Sequence, residues 1–210
     1  MSIFKKMAEM GQKFVLGGGD TTRERAEFTN ELCEHLRQIG VNATAVDPRT
    51  VEGVEESWPF GLAKVEDRNI NFVMINPDLV DDRTRSYYCT YHTRANVEGL
   101  EKTLDVEGEP KKKGFLSKEV VGYQWKGGDL AQRLNADADL KNMLITARAG
   151  KISVKPNVLG FTSFHGTAVI RQGSGSWSWS LRKKSFPTRE TFDIYDRIAS
   201  HIRSITDARS

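Results

Sequence analysis

FGLAKVEDRNINFVMI, residues 60–75, decides the fold class of this chain. Two runs of mainly apolar and β-forming residues flank the polar turn Asp67-Arg68-Asn69, which is the pattern of two strands joined in a hairpin. Asn76-Pro77-Asp78 is predicted to end the second strand, because proline lacks the N–H that a sheet requires. A parallel sheet would instead need helices between successive strands. The stretch therefore predicts an antiparallel sheet.

Segments with a helical period of apolar residues predict helices before and after this hairpin. They cover residues 21–39, 128–148 and 188–206. Gly40 is predicted to end the first helix, because glycine readily takes the left-handed conformation, and Asp137 is predicted to cap a new segment within the second. Further strands are predicted at residues 41–46, 85–93, 118–125, 151–156, 161–172 and 176–184. The fold class is α+β, with antiparallel β-hairpins and the helices packed on one side.

The distribution of charge divides the chain into two halves. Residues 1–105 carry 13 Lys/Arg and 18 Asp/Glu, a net charge of −5, whereas residues 106–210 carry 18 and 10, a net charge of +8. An internal duplication of two α-β-β-β-α halves is one interpretation, and the halves form either one domain or two. The predicted segments are an amphipathic, flexible N-terminal segment (1–19), an acidic α+β half (20–106), a connecting loop (107–117) and a basic α+β half (118–210).

Cysteine content and hydropathy bear on the location of the protein. Cys33 and Cys89 are too few for a disulfide scaffold, so both thiols are predicted to be free. No apolar run approaches the roughly 18 residues of a membrane span, and the N-terminus lacks the apolar core of a secretory signal. These features predict a soluble cytoplasmic protein. The alternative is peripheral association with a membrane through residues 2–16.

The glycine run at residues 17–19 raises the question of a nucleotide-binding turn. Gly17 and Gly19 fit the start of the pattern G-x-G-x-x-G, but Thr22 stands where close packing of helix on strand needs a third glycine. Asp47 would have to bind a ribose at the end of a parallel strand, yet hairpins follow it in the sequence. We therefore predict no cofactor.

The spacing of the candidate catalytic and metal-binding residues does not fit the sites that they would form. Cys89 and His92 stand three residues apart in a predicted strand and so lie on opposite faces. A calcium loop that starts at Asn135 would need glycine and glutamate where Leu140 and Thr146 stand. No metal ion is predicted, and the catalytic residues are unknown. The alternative is a hydrolase or transferase whose site is assembled from distant loops, with the polar candidates Asp81, Asp82 and His165.

The basic half favours a binding function. The candidate anion-binding or partner-binding residues are Lys111, Lys112, Lys113, Arg182 and Lys184. Trp177 and Trp179 are predicted to be core residues, because they share a strand face that does not carry Arg182 or Lys184. The resulting hypothesis is a non-enzymatic binding module with a polyanion or a protein as partner, or a homo-oligomer formed through the acidic and basic halves. The competing explanation is that the two halves neutralise each other within one fold.

Overall fold

The computed structural model of the protein describes residues 21–54, 61–79, 85–114, 119–157, 167–172 and 186–209. The strands are β1 (Ala43–Ala45), β2 (Gly61–Val65), β3 (Phe72–Leu79), β4 (Arg85–Arg94), β5 (Val106–Lys113), β6 (Glu119–Gly127), β7 (Ile152–Asn157) and β8 (Thr167–Gln172). The α-helices are α1 (Thr21–Gln38), α2 (Glu101–Leu104), α3 (Asp129–Ala136), α4 (Ala138–Thr146) and α5 (Arg189–Thr206). Two short 3-10 helices cover Pro48–Thr50 and Asp207–Arg209.

The eight strands form one sheet in the order β1-β2-β3-β4-β8-β7-β5-β6, and every neighbouring pair is antiparallel. The predicted α+β class is confirmed. Strands β4 and β8 join the two halves of the chain in the middle of the sheet, from Thr90↔Arg171 to Arg94↔Thr167. The internal duplication is not confirmed. Strands β1 to β4 lie in the sheet in the same order as in the chain, whereas the second half has the order β8-β7-β5-β6 and has α3 and α4 between β6 and β7.

Strand β5 replaces part of the connecting loop that the sequence predicts at residues 107–117. That prediction is wrong for residues 107–113, which pair with β6 on one side and, near Gly108, with β7 on the other. A Cβ at Gly108 would lie 2.5 Å from the ring of Tyr123 and 2.8 Å from that of Trp125. The glycine therefore makes room for two buried rings, although its place beside Pro110 and charged residues is typical of a turn.

Three prolines inside strands lie beyond the described pairing with one neighbouring strand. Pro77 pairs with Tyr87 of β4, beyond the last contact with β2 at Ile75. Pro110 and Pro156 lie beyond the short contact between β5 and β7. Proline is tolerated there because its missing N–H leaves no partner strand unsatisfied. The prediction that Asn76-Pro77-Asp78 ends the strand is thus wrong, as β3 continues to Leu79.

The ends of the helices follow local signals in the sequence. Gly40 has a φ of +78°, and the amide of Val41 donates to the carbonyl of Leu36 at 2.8 Å, which is the six-to-one bond of a Schellman end. The second predicted helix is broken at Asp137, whose carboxylate accepts from the amide of Leu140 at 2.9 Å. Both predicted caps are confirmed.

The main hydrophobic core lies between the helices and one face of the sheet, so the helices pack on one side as predicted. Its buried side chains come from α1, α3, α4 and α5 and from the facing strand residues. A smaller cluster of Leu62, Phe72 and Met74 lies on the opposite face, where Val46, Val51 and Val54 pack against it. The described part of the sheet is therefore buried on both faces in its first half.

Candidate anion-binding site

The lysines Lys111, Lys112 and Lys113 lie at the end of strand β5, and all three are exposed. Lys111 pairs with Gly122 of β6, and a register shift between Lys111 and Lys112 leaves Val121 as the extra residue of a β-bulge. Alternation along the strand places Lys111 and Lys113 on one face of the sheet and Lys112 on the other. We call these three residues the lysine cluster.

The lysine cluster differs from the other lysines near β5 in its ion pairs, although Glu119 of β6 is the strand partner of Lys113. The neighbouring ion pairs join Lys126 to Glu109 (3.5 Å), Lys151 to Glu107 (2.8 Å) and Glu109 (3.6 Å), and Lys155 to Asp105 (3.6 Å). The hydrogen bond from Lys151 lowers the pKa of the Glu107 carboxyl. Within the described residues, no carboxylate forms an ion pair with any member of the lysine cluster.

Strand β6, which lies beside the lysine cluster, is the last of the described strands of the sheet. The side-chain amide of Asn135, on α3, accepts from the amide of Trp125 and donates to its carbonyl, both at 2.9 Å. Both backbone groups of Trp125 therefore face away from β5 and are satisfied by a side chain that imitates a neighbouring strand. The half of β6 that precedes Trp125 has no such cover from a described residue.

Several predicted residues lie outside the part of the chain that the structure describes. They are Arg182 and Lys184 of the anion-binding set, Trp177 and Trp179, the glycine run at 17–19, the N-terminal segment, and the enzyme candidates Asp81, Asp82 and His165. For these residues the sequence interpretation stays a prediction.

A cluster of charged groups around Asp137 is not predicted from the sequence. Besides capping α4, this carboxylate accepts two bonds from the guanidinium of Arg197, at 2.7 and 2.8 Å, and lies 2.8 Å from Nε2 of His201. The Asp137 side chain is only 7% exposed. These contacts, led by the bonds from Arg197, hold the pKa of the Asp137 carboxyl well below its usual range. The capping position predicts one of its partners, but the other two come from α5, about 60 residues away in the chain.

We expect Asp137→Ala to lower the free energy of unfolding by about 2 kcal/mol, because it removes a helix cap and charge-assisted bonds to α5. Asp139→Ala is the matched control: its side chain is 76% exposed and contacts Arg197 at 3.1 Å, so its loss should change stability by less than about 0.5 kcal/mol. Because the pKa of Asp137 is lowered in the folded state, the stability that it provides is present above about pH 4 and declines below it. Urea unfolding at pH 7 and pH 3 measures both effects, and equal losses for the two variants would contradict the assignment.

Cys89 and His92 lie on opposite faces of β4, as the sequence predicts. Cys89 pairs with Ile75 and belongs to the core under the helices, whereas His92 pairs with Phe72 on the opposite face. Both cysteines are free and buried. Burial raises the pKa of Cys89 to about 12, so this thiol is not a ready nucleophile.

His92 belongs to a buried polar chain on the face away from the helices. Its Nε2 lies 2.9 Å from the hydroxyl of Thr90, which accepts a bond of 2.9 Å from the side-chain amide Nδ2 of Asn76. His92 is 3% exposed, and burial lowers its pKa to about 3. A neutral imidazole held in this way contributes to packing and is almost fully shielded from solvent.

A cleft of about 60 Å³ lies between α5 and the turn that follows α4, lined in part by Arg148, Thr191 and Tyr195. Its volume is far below the roughly 300–1,000 Å³ of a typical ligand pocket. Among the described residues, no group of three or more His, Cys, Asp or Glu side chains is placed to hold a metal ion. The lysine cluster and the adjoining edge of β6 are thus the described features that best suit a binding site.

None of the helices that the structure describes combines the length and the apolar character needed to cross a membrane. Comparison with known proteins finds no matching family model, no matching curated protein and no matching solved structure for this chain.

Proposed function

We propose that this protein is a binding module that takes an anionic partner at the lysine cluster. The observation that carries the proposal is that three consecutive exposed lysines, Lys111, Lys112 and Lys113, form no ion pair with a described carboxylate. The lysines beside them on β6 and β7 are already paired with carboxylates. A partner that binds the cluster therefore does not have to displace an existing ion pair.

The ion pairs of the described residues also bear on the competing explanation for the uneven charge. If the acidic and basic halves neutralised each other through direct contacts, many ion pairs would join them. When the chain is divided after residue 105, as for the net charges, Lys155–Asp105 joins the two halves, and the other ion pairs between described residues lie within one half. This distribution supports a basic half whose surplus charge faces a partner.

We expect Lys111→Glu/Lys113→Glu to weaken the binding of an anionic partner by about tenfold or more, since each reversed charge turns an attraction into a repulsion. Fluorescence anisotropy with labelled single-stranded DNA, duplex DNA, RNA and polyglutamate measures the affinity from low to physiological salt. Binding through the cluster should weaken steeply as salt rises.

The matched control is Lys102→Glu/Lys141→Glu, which makes the same change in net charge at two other exposed lysines. It should weaken binding much less, because those lysines lie on helices α2 and α4 and not at the end of β5. Equal losses for the two double variants would show that only the total charge matters. Absence of binding to every probe at low salt would refute the proposal.

A further inference from the structure

We infer that the anionic partner is an extended acidic segment of a protein, which adds as a new strand to the open edge of β6 at residues 119–123. This inference rests on the proposed function and specifies how the lysine cluster is used. Addition of a strand takes its affinity from backbone hydrogen bonds and its specificity from alternate side chains. The described residues around β6 provide for both.

The backbone of Tyr123 provides the hydrogen-bonding groups. Because residues two apart in a strand point their backbone groups to the same side, the N–H and C=O of Tyr123 face the same edge as those of Trp125. Asn135 satisfies Trp125, but no described residue bonds the backbone of Tyr123 on that side. An unpaired edge of this kind is a template for another strand. Strand β1, at the opposite end of the sheet, is only three residues long.

The side chain of Lys111 packs over Gly122 of β6. A Cβ at position 122 would lie 3.5 Å from Cβ, 3.9 Å from Cγ and 3.6 Å from Cδ of Lys111. The aliphatic part of Lys111 therefore runs from β5 across β6, over the place where any other residue would carry a side chain. From there, a side chain of this length can bring its ammonium group to a carboxylate of a strand added at the open edge.

Val121 adds an apolar contact next to this charge. It is 50% exposed, more than any other large hydrophobic residue in the described part of the chain. It lies in the bulge of the same edge. An added strand would therefore place a carboxylate near Lys111 and an apolar side chain near Val121. Lys113 is farther from this edge, because its strand partner Glu119 lies between them. A segment with alternating acidic and apolar residues fits this arrangement.

A second copy of the chain is a poorer occupant than an acidic segment. Two β6 edges that paired about a twofold axis at Val121 would bring the two Lys111 side chains within about a Debye length of each other. Like charges at that distance oppose association. A nucleic acid has the required charge but lacks the backbone amides and carbonyls that would pair with Tyr123.

Amide hydrogen exchange at Tyr123 tests the inference directly. The probe is a seven-residue peptide of alternating glutamate and valine, added to the full-length protein and followed by NMR. We expect the Tyr123 amide to exchange at least about tenfold more slowly with the peptide bound, because it gains a hydrogen bond. The exchange rate of the Gln124 amide should change little, since the backbone N–H of Gln124 points toward its β5 partner Glu109.

Two N-methylated forms of the peptide separate strand addition from simple charge attraction. One form is methylated at its odd residues and the other at its even residues, and both keep every carboxylate. A strand uses one edge for pairing, so we expect one form to lose about tenfold or more in affinity. Equal affinity of all three peptides would overturn the inference.

The remaining outcomes distinguish this inference from the proposed function. If nucleic acid or polyglutamate binds through the lysine cluster while the Tyr123 amide stays unprotected, strand addition is refuted and the proposed function stands. If the Tyr123 amide becomes protected with rising protein concentration and no peptide, the occupant is a second copy and the inference is wrong. If no anionic probe binds, both proposals fail.

Discussion

Replacement of Gly128 by alanine should lower the free energy of unfolding by about 3 kcal/mol, the upper end of the usual cost of overpacking. A Cβ at this position would collide with the backbone carbonyl oxygens of Lys102 and Thr103 and would lie 2.7 Å from the Thr103 carbonyl carbon. The backbone of Gly128 has a φ of −66° and a ψ of −171°, which alanine adopts freely, so the expected loss is steric and not conformational.

The atoms that such a Cβ would meet cannot move aside easily. Leu104, in the same turn, is fully buried, and the amide of Gly128 donates to the carbonyl of Asp105 at 3.1 Å. Relief of the collision would have to separate α3 from the end of α2 and break this bond. The sequence places Gly128 just before a helix but does not reveal this contact.

Gly122→Ala is the matched control for Gly128→Ala. At Gly122 the nearest atoms to a new Cβ lie 3.5–3.9 Å away and belong to the flexible side chain of Lys111. We expect a change in stability within about 0.5 kcal/mol, because the contact is an ordinary one and alanine also restricts the unfolded chain. Urea unfolding of both variants gives the comparison. A small effect at Gly128 would mean that α2 and α3 do not pack as described.

Acid should destabilise the protein through His92 before most carboxylates titrate. The pKa of His92 is lowered from 6.5 to about 3 in the folded state, so between these values the unfolded chain binds a proton that the folded protein does not. Stability is therefore fully present above about pH 6.5 and declines as the pH falls. One proton changes it by about 1.4 kcal/mol per pH unit, or roughly 3 kcal/mol by pH 4.

His92→Gln removes this titration and is the test. Glutamine can still bond the hydroxyl of Thr90. We expect the free energy of unfolding of the variant to fall less between pH 6.5 and pH 4.5 than that of the natural chain, even if the variant is less stable at pH 7. Urea unfolding at several pH values gives the two slopes. If the slopes agree, another group causes the acid sensitivity and the burial of His92 does not explain it.

The helices and their ends could be predicted because their determinants are local. The left-handed conformation at Gly40 requires a residue without a Cβ, and the cap at Asp137 needs an acceptor three residues before the amide of Leu140. The opposite faces of Cys89 and His92 follow from the period of a single strand. The α+β class likewise follows from the hairpin at residues 60–75, because its turn and strands are adjacent in the sequence.

Tertiary structure alone decided the features that join distant residues. Residues 107–113 form a strand because β6 and β7 pair with them and because Trp125 and Tyr123 need the space above Gly108. Arg197 and His201 reach Asp137 only after α5 has packed against α4.

The same holds for the candidate site. The sequence names Lys111, Lys112 and Lys113, but the strand order makes β6 the outermost of the described strands beside them. Asn135 covers one part of its edge, and no described residue bonds the backbone of Tyr123 on that side. Turns, helix caps and the hydrophobic periodicity of helices and strands depend on residues that are close together in the chain. Pairing between strands and ion pairs between helices depend on contacts across the fold, which local sequence patterns do not encode.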